Sequence, residues 1–194
     1  MTKSHQTKGG AFGHFTRRFF HVVSLIFLLF IYYHWIIPTF SSSSLAHDLL
    51  FLMISFVVVF EALRLKFHFV FFAQRDYEAT QVCAFTWGVL AACLVLLFSP
   101  NIFFSVAIIT SCALVDPLLG ELKHKIKKSI YLFLLGVISV ILIWLICAVH
   151  YRFPIWIAFL MGPITVACEW PSLKWIDDNA LMMLVPLAIT LIIY

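Results

Sequence analysis

The amino-acid sequence predicts an all-α membrane protein, a polytopic bundle of about seven transmembrane helices. Hydrophobic residues make up 63% of the 194 residues and charged residues only 11%, with a mean hydropathy of +1.05. A soluble domain carries about 25% charged and about 45–50% apolar residues, so a soluble, disordered or disulfide-rich secreted chain is excluded. The apolar runs are long and do not alternate with polar residues, which favours helices over the strands of a membrane barrel.

The predicted spans follow the charge-free runs, since a spanning helix needs about 17–25 mostly apolar residues. The first span ends before Pro38, and serines 41–44 separate it from the second. Residues 79–115 contain no Asp, Glu, Lys or Arg and are too long for one helix, so Ser99-Pro100-Asn101 divides them into two spans. The predicted spans are 21–37, 45–65, 80–98, 102–119, 130–149, 154–169 and 180–194. Totals of six or eight spans stay open.

The charges predict the topology. With seven spans and a cytoplasmic N-terminus, 12 of the 13 basic residues fall in cytoplasmic segments and only Arg152 lies outside, which is the bias of the positive-inside rule. Residues 1–16 are predicted to be a flexible polar tail and residues 17–194 a single transmembrane domain, with the C-terminus external. The basic pair before the first span also suits a signal peptide, but the apolar run favours a retained helix. Eight of the nine acidic residues map to the cytoplasmic face, the exception being Asp48.

Asp116 is the sharpest candidate for a functional carboxylate. Its neighbours in the sequence are apolar, and a carboxylate there needs a cation, a donor or a metal. Pro117 is expected to break or bend the helix, and Gly120 would let a ligand approach closely. An acid beside a basic loop suits a metal–polyphosphate ligand, because the acid binds Mg²⁺ and the bases neutralise phosphate oxygens. The loop that follows holds Lys123, Lys125, Lys127, Lys128 and Ser129. The lysines alone would equally suit a positive-inside anchor.

Three further sets of residues are candidates. Asp177, Asp178 and Asn179 offer adjacent oxygen ligands to a divalent cation, or an N-cap to the last helix. Glu61 and Arg64 share a helix face, either as a structural ion pair or as a pair that positions a phosphate. Glu169 ends the sixth span. The five cysteines are far apart in apolar stretches and show no ligand spacing.

Six short motifs occur in a fixed order over residues 17–187. They are Arg17-Arg18-Phe-Phe-His21-Val-Val-Ser24, Glu61-Ala-Leu-Arg64, Arg75-Asp-Tyr-Glu78, Asp116-Pro117-Leu-Leu-Gly120, Lys128-Ser129, and Val166-Ala-Cys-Glu169 followed by Ile176-Asp177-Asp178-Asn179 and Pro186. Together they resemble the CTP-dependent lipid kinases, the family of dolichol kinase, phytol kinase and the CTP-dependent diacylglycerol kinase. Where that family has a glycine-rich stretch, residues 121–127 read Glu-Leu-Lys-His-Lys-Ile-Lys.

The resemblance implies an integral-membrane enzyme that transfers the γ-phosphate of CTP to a lipid alcohol (polyprenol, phytol or diacylglycerol) at the cytoplasmic face, with Mg²⁺ or another divalent cation. It implies catalytic roles for Asp116, Glu61 and Glu169, and a metal held by Asp116, Asp177 and Asp178. The implied nucleotide and phosphate contacts are Arg18, His21, Arg64, Gly120, Lys123, Lys128, Ser129 and Asn179. Alternatives are a phosphatidate cytidylyltransferase-like enzyme, a catalytically diverged or structural membrane protein, and a transporter. No nucleic-acid partner is expected, and the oligomeric state stays open.

Overall fold

The computed structural model describes residues 8–39, 43–123, 125–126, 128–171, 173 and 175–194. Several predicted features lie outside the described residues: the tail up to residue 7, the serine loop at 41–42, Lys127 and Lys174. Over the described ranges the protein is helical and contains no strand. The all-α fold class predicted from the sequence is thereby confirmed.

Eight α-helices follow one another along the described chain, and seven of them have at least 12 residues. They are α1 (Gly10–Ile31), α2 (Ile37–Thr39), α3 (Ser43–Lys66), α4 (Ala84–Phe98), α5 (Ile102–Leu122), α6 (Ser129–Tyr151), α7 (Trp156–Ala167) and α8 (Asp178–Ile193). A π-helical turn, Tyr32–Ile36, joins α1 to α2, and a 3₁₀ turn, Asp76–Ala79, precedes α4.

Three helical stretches are long and apolar enough to cross a membrane. These are Gly10–Thr39, α5 and α6, while α4, α7 and α8 are apolar but shorter. Their length and composition suit a membrane protein. The total of seven spans and the orientation of the two termini stay predictions.

Helix α1 begins earlier than the sequence predicts. Gly9 has a φ of 97° and Gly10 starts the helix, a backbone conformation that glycine adopts without steric cost. Phe15 and Phe19 then stack one turn apart with ring centroids at 6.4 Å. Residues 10–16 of the predicted tail are therefore helical, and their aromatic side chains extend the surface of the first predicted span. The flexibility of the tail stays a prediction.

The packing divides the predicted single domain into two compact units, an N-terminal unit up to Leu90 and a C-terminal unit from Ala91 to Tyr194. The N-terminal unit holds α1, α2, α3 and the connection that leads to α4. In the C-terminal unit α6 packs against α5 and α7, and α8 also packs against α5 and α7.

Helix α5 continues through Pro117 to Leu122. A proline inside a helix removes one backbone donor, and the last turn is closed by the amide of Lys123, which donates to the carbonyl of Leu119 over 2.9 Å. The predicted break at Pro117 is therefore absent. As a result Asp116 and Lys123, which are two turns apart, lie on the same face of one helix end.

An aromatic core holds the far half of the C-terminal unit together. Phe104, near the start of α5, and Trp144 of α6 are fully buried. Their rings lie 6.2 Å apart, and both contact Phe153, at 5.6 and 6.1 Å. Phe104 is three turns before Asp116, so this core is separated by about 18 Å of helix from the charged end of α5.

Gly162 allows α7 to approach α6 closely. A Cβ atom at Gly162 would lie 2.5 Å from Cγ1 of Ile141 and 3.3 Å from the carbonyl oxygen of Val137. We expect Gly162→Ala to lower the free energy of unfolding by about 1–3 kcal/mol, since α6 must shift to accept the methyl group. Equilibrium unfolding in detergent micelles measures this, with Gly88→Ala as the control because a Cβ there meets nothing within 4 Å. Equal stability of the two variants would contradict the close packing.

Candidate metal and phosphate site

Three carboxylates meet at one end of the C-terminal unit. Asp116 comes from the last turns of α5, Glu169 from just after α7, and Asp178 from the first turn of α8. One oxygen of each lies within 4.8 Å of the other two. Glu169 is buried, and the two aspartates are half-buried. Two helices end and one begins at this point, so residues distant in the sequence form a single cluster.

The spacing of these oxygens suits a hard divalent cation. Mg²⁺ binds oxygen at about 2.0–2.1 Å and Ca²⁺ at about 2.3–2.6 Å, so opposite ligands of one ion are about 4–5 Å apart and adjacent ones are closer. Separations of up to 4.8 Å lie within the span of a Ca²⁺ site, whereas a Mg²⁺ site would require every pair of oxygens to be within about 4.2 Å. Three carboxylates and the neighbouring Lys123 leave a net charge of about −2, which a divalent cation would balance.

Lys123 links the carboxylate cluster to the basic loop. Its Nζ lies 2.5 Å from Oε1 of Glu169 and 5.6 Å from the centre of the Trp170 ring. About a third of the lysine side chain is exposed, whereas the glutamate carboxylate is almost completely buried. The lysine therefore places a positive charge at the edge of the cluster that faces solvent.

Asp177, Asp178 and Asn179 occupy different positions at the start of α8. Asp177 is the N-cap residue, and its Oδ2 accepts a hydrogen bond of 2.7 Å from Nδ2 of Asn179. Asp178 is the first helical residue and accepts the backbone amide of Asn179 at 3.1 Å. Of the two aspartates, Asp178 is a member of the carboxylate cluster. Glu169 is also a member, although the sequence predicted a catalytic role for it and not a role as a metal ligand. The metal role of Asp177 stays a prediction.

Cys112 holds α8 against α5 beneath the cluster. It lies one turn before Asp116, is fully buried, and its Sγ is 3.5 Å from the carbonyl oxygen of Asn179. This contact places the first turn of α8 beside the last turns of α5. Cys112 therefore helps to position Asp178 near Asp116, although its sequence surroundings indicated only a small buried side chain.

The described residues in the rest of the predicted phosphate loop lie at the surface. Lys125, Lys128 and Ser129 are exposed, and Nζ of Lys128 is 5.5 Å from the centre of the Tyr131 ring. Gly120, half-buried, is one turn beyond Asp116 on the same helix face. These side chains are open to a ligand from solvent.

In the N-terminal unit Arg64 is buried and uses all five of its N–H donors within the protein. The acceptors are Oε2 and Oε1 of Glu61 (2.9 and 2.8 Å) and the carbonyl oxygens of Phe69 (2.9 Å), Glu78 (2.5 Å) and Gln81 (2.7 Å). A guanidinium has five such donors. The phosphate contact expected of Arg64 finds no support in this geometry, because each N–H already has an acceptor within the protein, and it stays a prediction.

Glu61 is engaged in the same way. Both of its oxygens accept from Arg64, and Oε1 also accepts the backbone amide of Cys83 at 2.7 Å. The side chain is 4% exposed. Of the two interpretations left open by the sequence, a structural ion pair and a phosphate-positioning pair, the contacts favour the structural one. A catalytic role for Glu61 finds no support in these contacts.

Arg17 and Glu78 extend this network, although the sequence predicted no role in the site for either of them. Nη1 of Arg17 lies 2.8 Å from Oε1 of Glu78, which is buried. Both residues belong to motifs that stand out in the sequence, an Arg-Arg pair and an Arg-x-x-Glu segment. The opposite charges of these two motifs were the sequence feature that could have predicted the ion pair. Arg18 and His21, predicted phosphate contacts, lie on the same helix as Arg17 and are half-buried.

None of the family models, curated proteins and solved structures compared with this chain matches it. The likeness to CTP-dependent lipid kinases therefore depends on the six motifs alone and stays a prediction. The carboxylate cluster does not depend on that likeness, since it follows from the positions of Asp116, Glu169 and Asp178 in the fold.

Proposed function

We propose that this protein is an integral-membrane phosphotransferase that passes the γ-phosphate of a metal-bound nucleoside triphosphate, CTP, to a lipid alcohol at the cytoplasmic face. The observation that carries the proposal is the convergence of Asp116, Glu169 and Asp178 within 4.8 Å, with Lys123 in contact with Glu169. Phosphoryl transfer is achieved mainly by positioning and charge neutralisation, and this group of side chains offers both.

The proposed roles follow from the positions of the side chains. Asp116, Glu169 and Asp178 would hold the divalent cation, which when bound supplies positive charge to the β- and γ-phosphate oxygens. Lys123, whose side chain is about a third exposed, would contact a phosphate oxygen through its ammonium group. Because the transition state is loose, the acceptor hydroxyl needs orientation more than deprotonation. In this proposal Glu169 orients that hydroxyl, which is the role that the resemblance implies for it.

The flanking aromatic residues support a lipid acceptor. Trp170 follows Glu169 directly, and Trp175 precedes Asp177 by two residues; both are exposed, Trp175 by 84%. Exposed tryptophans beside apolar helices are typical of the membrane–water interface. We therefore propose that the carboxylate cluster lies at headgroup level, where the hydroxyl of a polyprenol, phytol or diacylglycerol is found.

The test is transfer of label by the purified protein in mixed micelles or vesicles. CTP and ATP, each labelled at the α- or the γ-phosphate, are supplied with Mg²⁺ and a panel of lipid alcohols and phosphatidate. The proposal expects γ-label on a lipid alcohol, more from CTP than from ATP, and no transfer in EDTA. Label from the α-position on phosphatidate would replace the proposal by a cytidylyltransferase. No transfer of either label to any lipid in the panel would reject an enzymatic role in this chemistry.

Lys123→Met is expected to change metal binding and transfer in opposite directions. The lysine competes with a cation for Glu169 but also neutralises phosphate, so its loss should tighten Mn²⁺ binding about tenfold while slowing transfer at saturating metal about 10²-fold. Electron paramagnetic resonance of free Mn²⁺ and the γ-label assay measure the two effects. Lys125→Met, an exposed lysine of the same loop, is the control. Metal binding and transfer that both match the control would remove Lys123 from the site.

A further inference from the structure

The connection after α3 exposes four phenylalanines within six residues. In this aromatic loop, defined as residues 67–72 with the sequence Phe-His-Phe-Val-Phe-Phe, the side chains of Phe67, Phe69, Phe71 and Phe72 are 61, 59, 47 and 52% exposed. Contiguous apolar patches of this kind are rare on surfaces that face water and mark sites of contact with protein or membrane. The aromatic loop belongs to the N-terminal unit and has no part in the proposed phosphotransferase chemistry.

The aromatic loop continues a stripe of phenylalanines that runs along α3. Ring centroids are 6.3 Å apart for Phe56 and Phe60, 5.9 Å for Phe60 and Phe71, 6.5 Å for Phe71 and Phe69, and 6.3 Å for Phe69 and Phe67. All five side chains are exposed. Because α3 coincides with a predicted span, the surface of the aromatic loop extends the surface that this helix would turn to lipid.

Seven of the twelve backbone N–H and C=O groups of the aromatic loop are bonded within the protein, although its aromatic side chains are exposed. The amides of Phe67, His68 and Phe69 donate to the carbonyls of Leu63, Leu65 and Arg64, and the amide of Phe71 donates to Oε1 of Gln74, all at 2.9–3.2 Å. The carbonyls of Phe69, Val70 and Phe71 accept from Arg64 Nη1, Lys8 Nζ and the Gln74 amide, at 2.9, 3.0 and 3.2 Å. These bonds lower the cost of placing irregular backbone next to acyl chains, and at the boundary of the bilayer the remaining groups can bond to water and headgroups.

Cationic groups flank the aromatic loop. Lys8 and Lys66 are exposed, and Nζ of Lys66 is 6.0 Å from the centre of the Phe67 ring. Arg75 follows the loop, and the exposed acid nearby is Asp76. Aromatic rings next to lysine and arginine, in excess over acid, match the boundary between acyl chains and headgroup phosphates.

We infer that the aromatic loop is embedded in the phospholipid bilayer at the boundary between headgroups and acyl chains. It anchors the end of α3 at that depth. Arg64 donates to the carbonyls of Phe69, Glu78 and Gln81. This buried arginine therefore connects the loop to α3 and fixes the position of the loop relative to the end of that helix. The inference is independent of the proposed phosphotransferase activity.

The test measures the depth of a fluorophore on the loop. Phe69→Cys and, separately, Phe71→Cys are labelled with an NBD maleimide in full-length protein reconstituted into phosphatidylcholine vesicles. Asp76→Cys is the matched control, being exposed in the same connection, and unsubstituted protein gives the background from the native cysteines. We expect blue-shifted emission at 69 and 71, and quenching by lipid that carries a spin label near the headgroup at least threefold stronger than at 76.

Two results would overturn the inference. Quenching by aqueous iodide at 69 and 71 that equals the quenching at 76 would place the aromatic loop in water. Protection from both iodide and spin-labelled lipid would indicate that protein, including a second copy of this chain, covers the loop. Fluorescence is measured separately for the two loop variants. If one variant does not reconstitute into vesicles, the other still tests the inference.

Discussion

Asp116→Asn is expected to reduce phosphoryl transfer by about 10²–10³-fold while leaving expression and folding unchanged. The substitution keeps the size of the side chain but removes the charge from one of three oxygens that lie within 4.8 Å of one another. Loss of one preformed electrostatic contact at a reacting centre costs about this much in rate. The γ-label assay measures the rate, and electron paramagnetic resonance measures Mn²⁺ binding, which we expect to weaken in parallel.

Glu121→Gln is the matched control for Asp116→Asn. Glu121 is an exposed acid on the same end of α5, and it is not a member of the carboxylate cluster. Its substitution should change neither transfer nor Mn²⁺ binding by more than about twofold, since an exposed charge is screened by solvent. Wild-type Mn²⁺ affinity in Asp116→Asn would show that the three carboxylates do not form a metal site, whatever the activity.

Arg64→Lys is expected to lower the free energy of unfolding by about 2–4 kcal/mol, because the charge is kept but several buried acceptors lose their hydrogen bonds. Lysine has one nitrogen in place of three, so it cannot reach both oxygens of Glu61 and the carbonyls that Arg64 now binds. Those groups are buried or part-buried, and their lost hydrogen bonds are not replaced. Unfolding in detergent, followed by circular dichroism, measures the change.

Lys66→Ala serves as the comparison for Arg64→Lys, since Lys66 is an exposed cation at the same end of α3 and its loss should cost less than about 0.5 kcal/mol. The pair separates the two interpretations of Arg64. A structural arginine destabilises the protein when it becomes lysine, whereas an arginine that binds phosphate would leave stability unchanged and raise the apparent KM for nucleotide. The second pattern would contradict the geometry of the network.

Much of the fold could be predicted because it depends on local composition. The apolar runs that predicted the spans coincide with helices in the structure. A chain with so few charges cannot cover a soluble surface, and in lipid a helix satisfies its own backbone hydrogen bonds. The helical start at Gly10 was not predicted, because polar residues and glycines at 10–16 suggested a tail. There Phe12 and Phe15 continue the apolar surface of α1, a feature that a count of polar residues does not detect.

The candidate site was less predictable, because it depends on which distant residues meet. The sequence singled out Asp116, Glu169 and the pair at 177–178, and no local pattern shows which acid of the pair points toward α5. Neighbouring residues at a helix start differ by about 100° in direction. The structure puts Asp178 in the cluster, while Asp177 bonds to the amide group of Asn179.

By itself the sequence determined the class of protein: an all-helical chain with apolar stretches suited to a membrane and with its few charges gathered at the ends of helices. Only the tertiary structure decided which charged side chains are in contact. It assigned Glu61 and Arg64 to a closed network, because every donor of the arginine already has a protein partner, and it brought Glu169 to Asp116 and Asp178. Charge type and spacing are local properties, whereas hydrogen-bond saturation and convergence of oxygens depend on contacts between segments far apart in the chain.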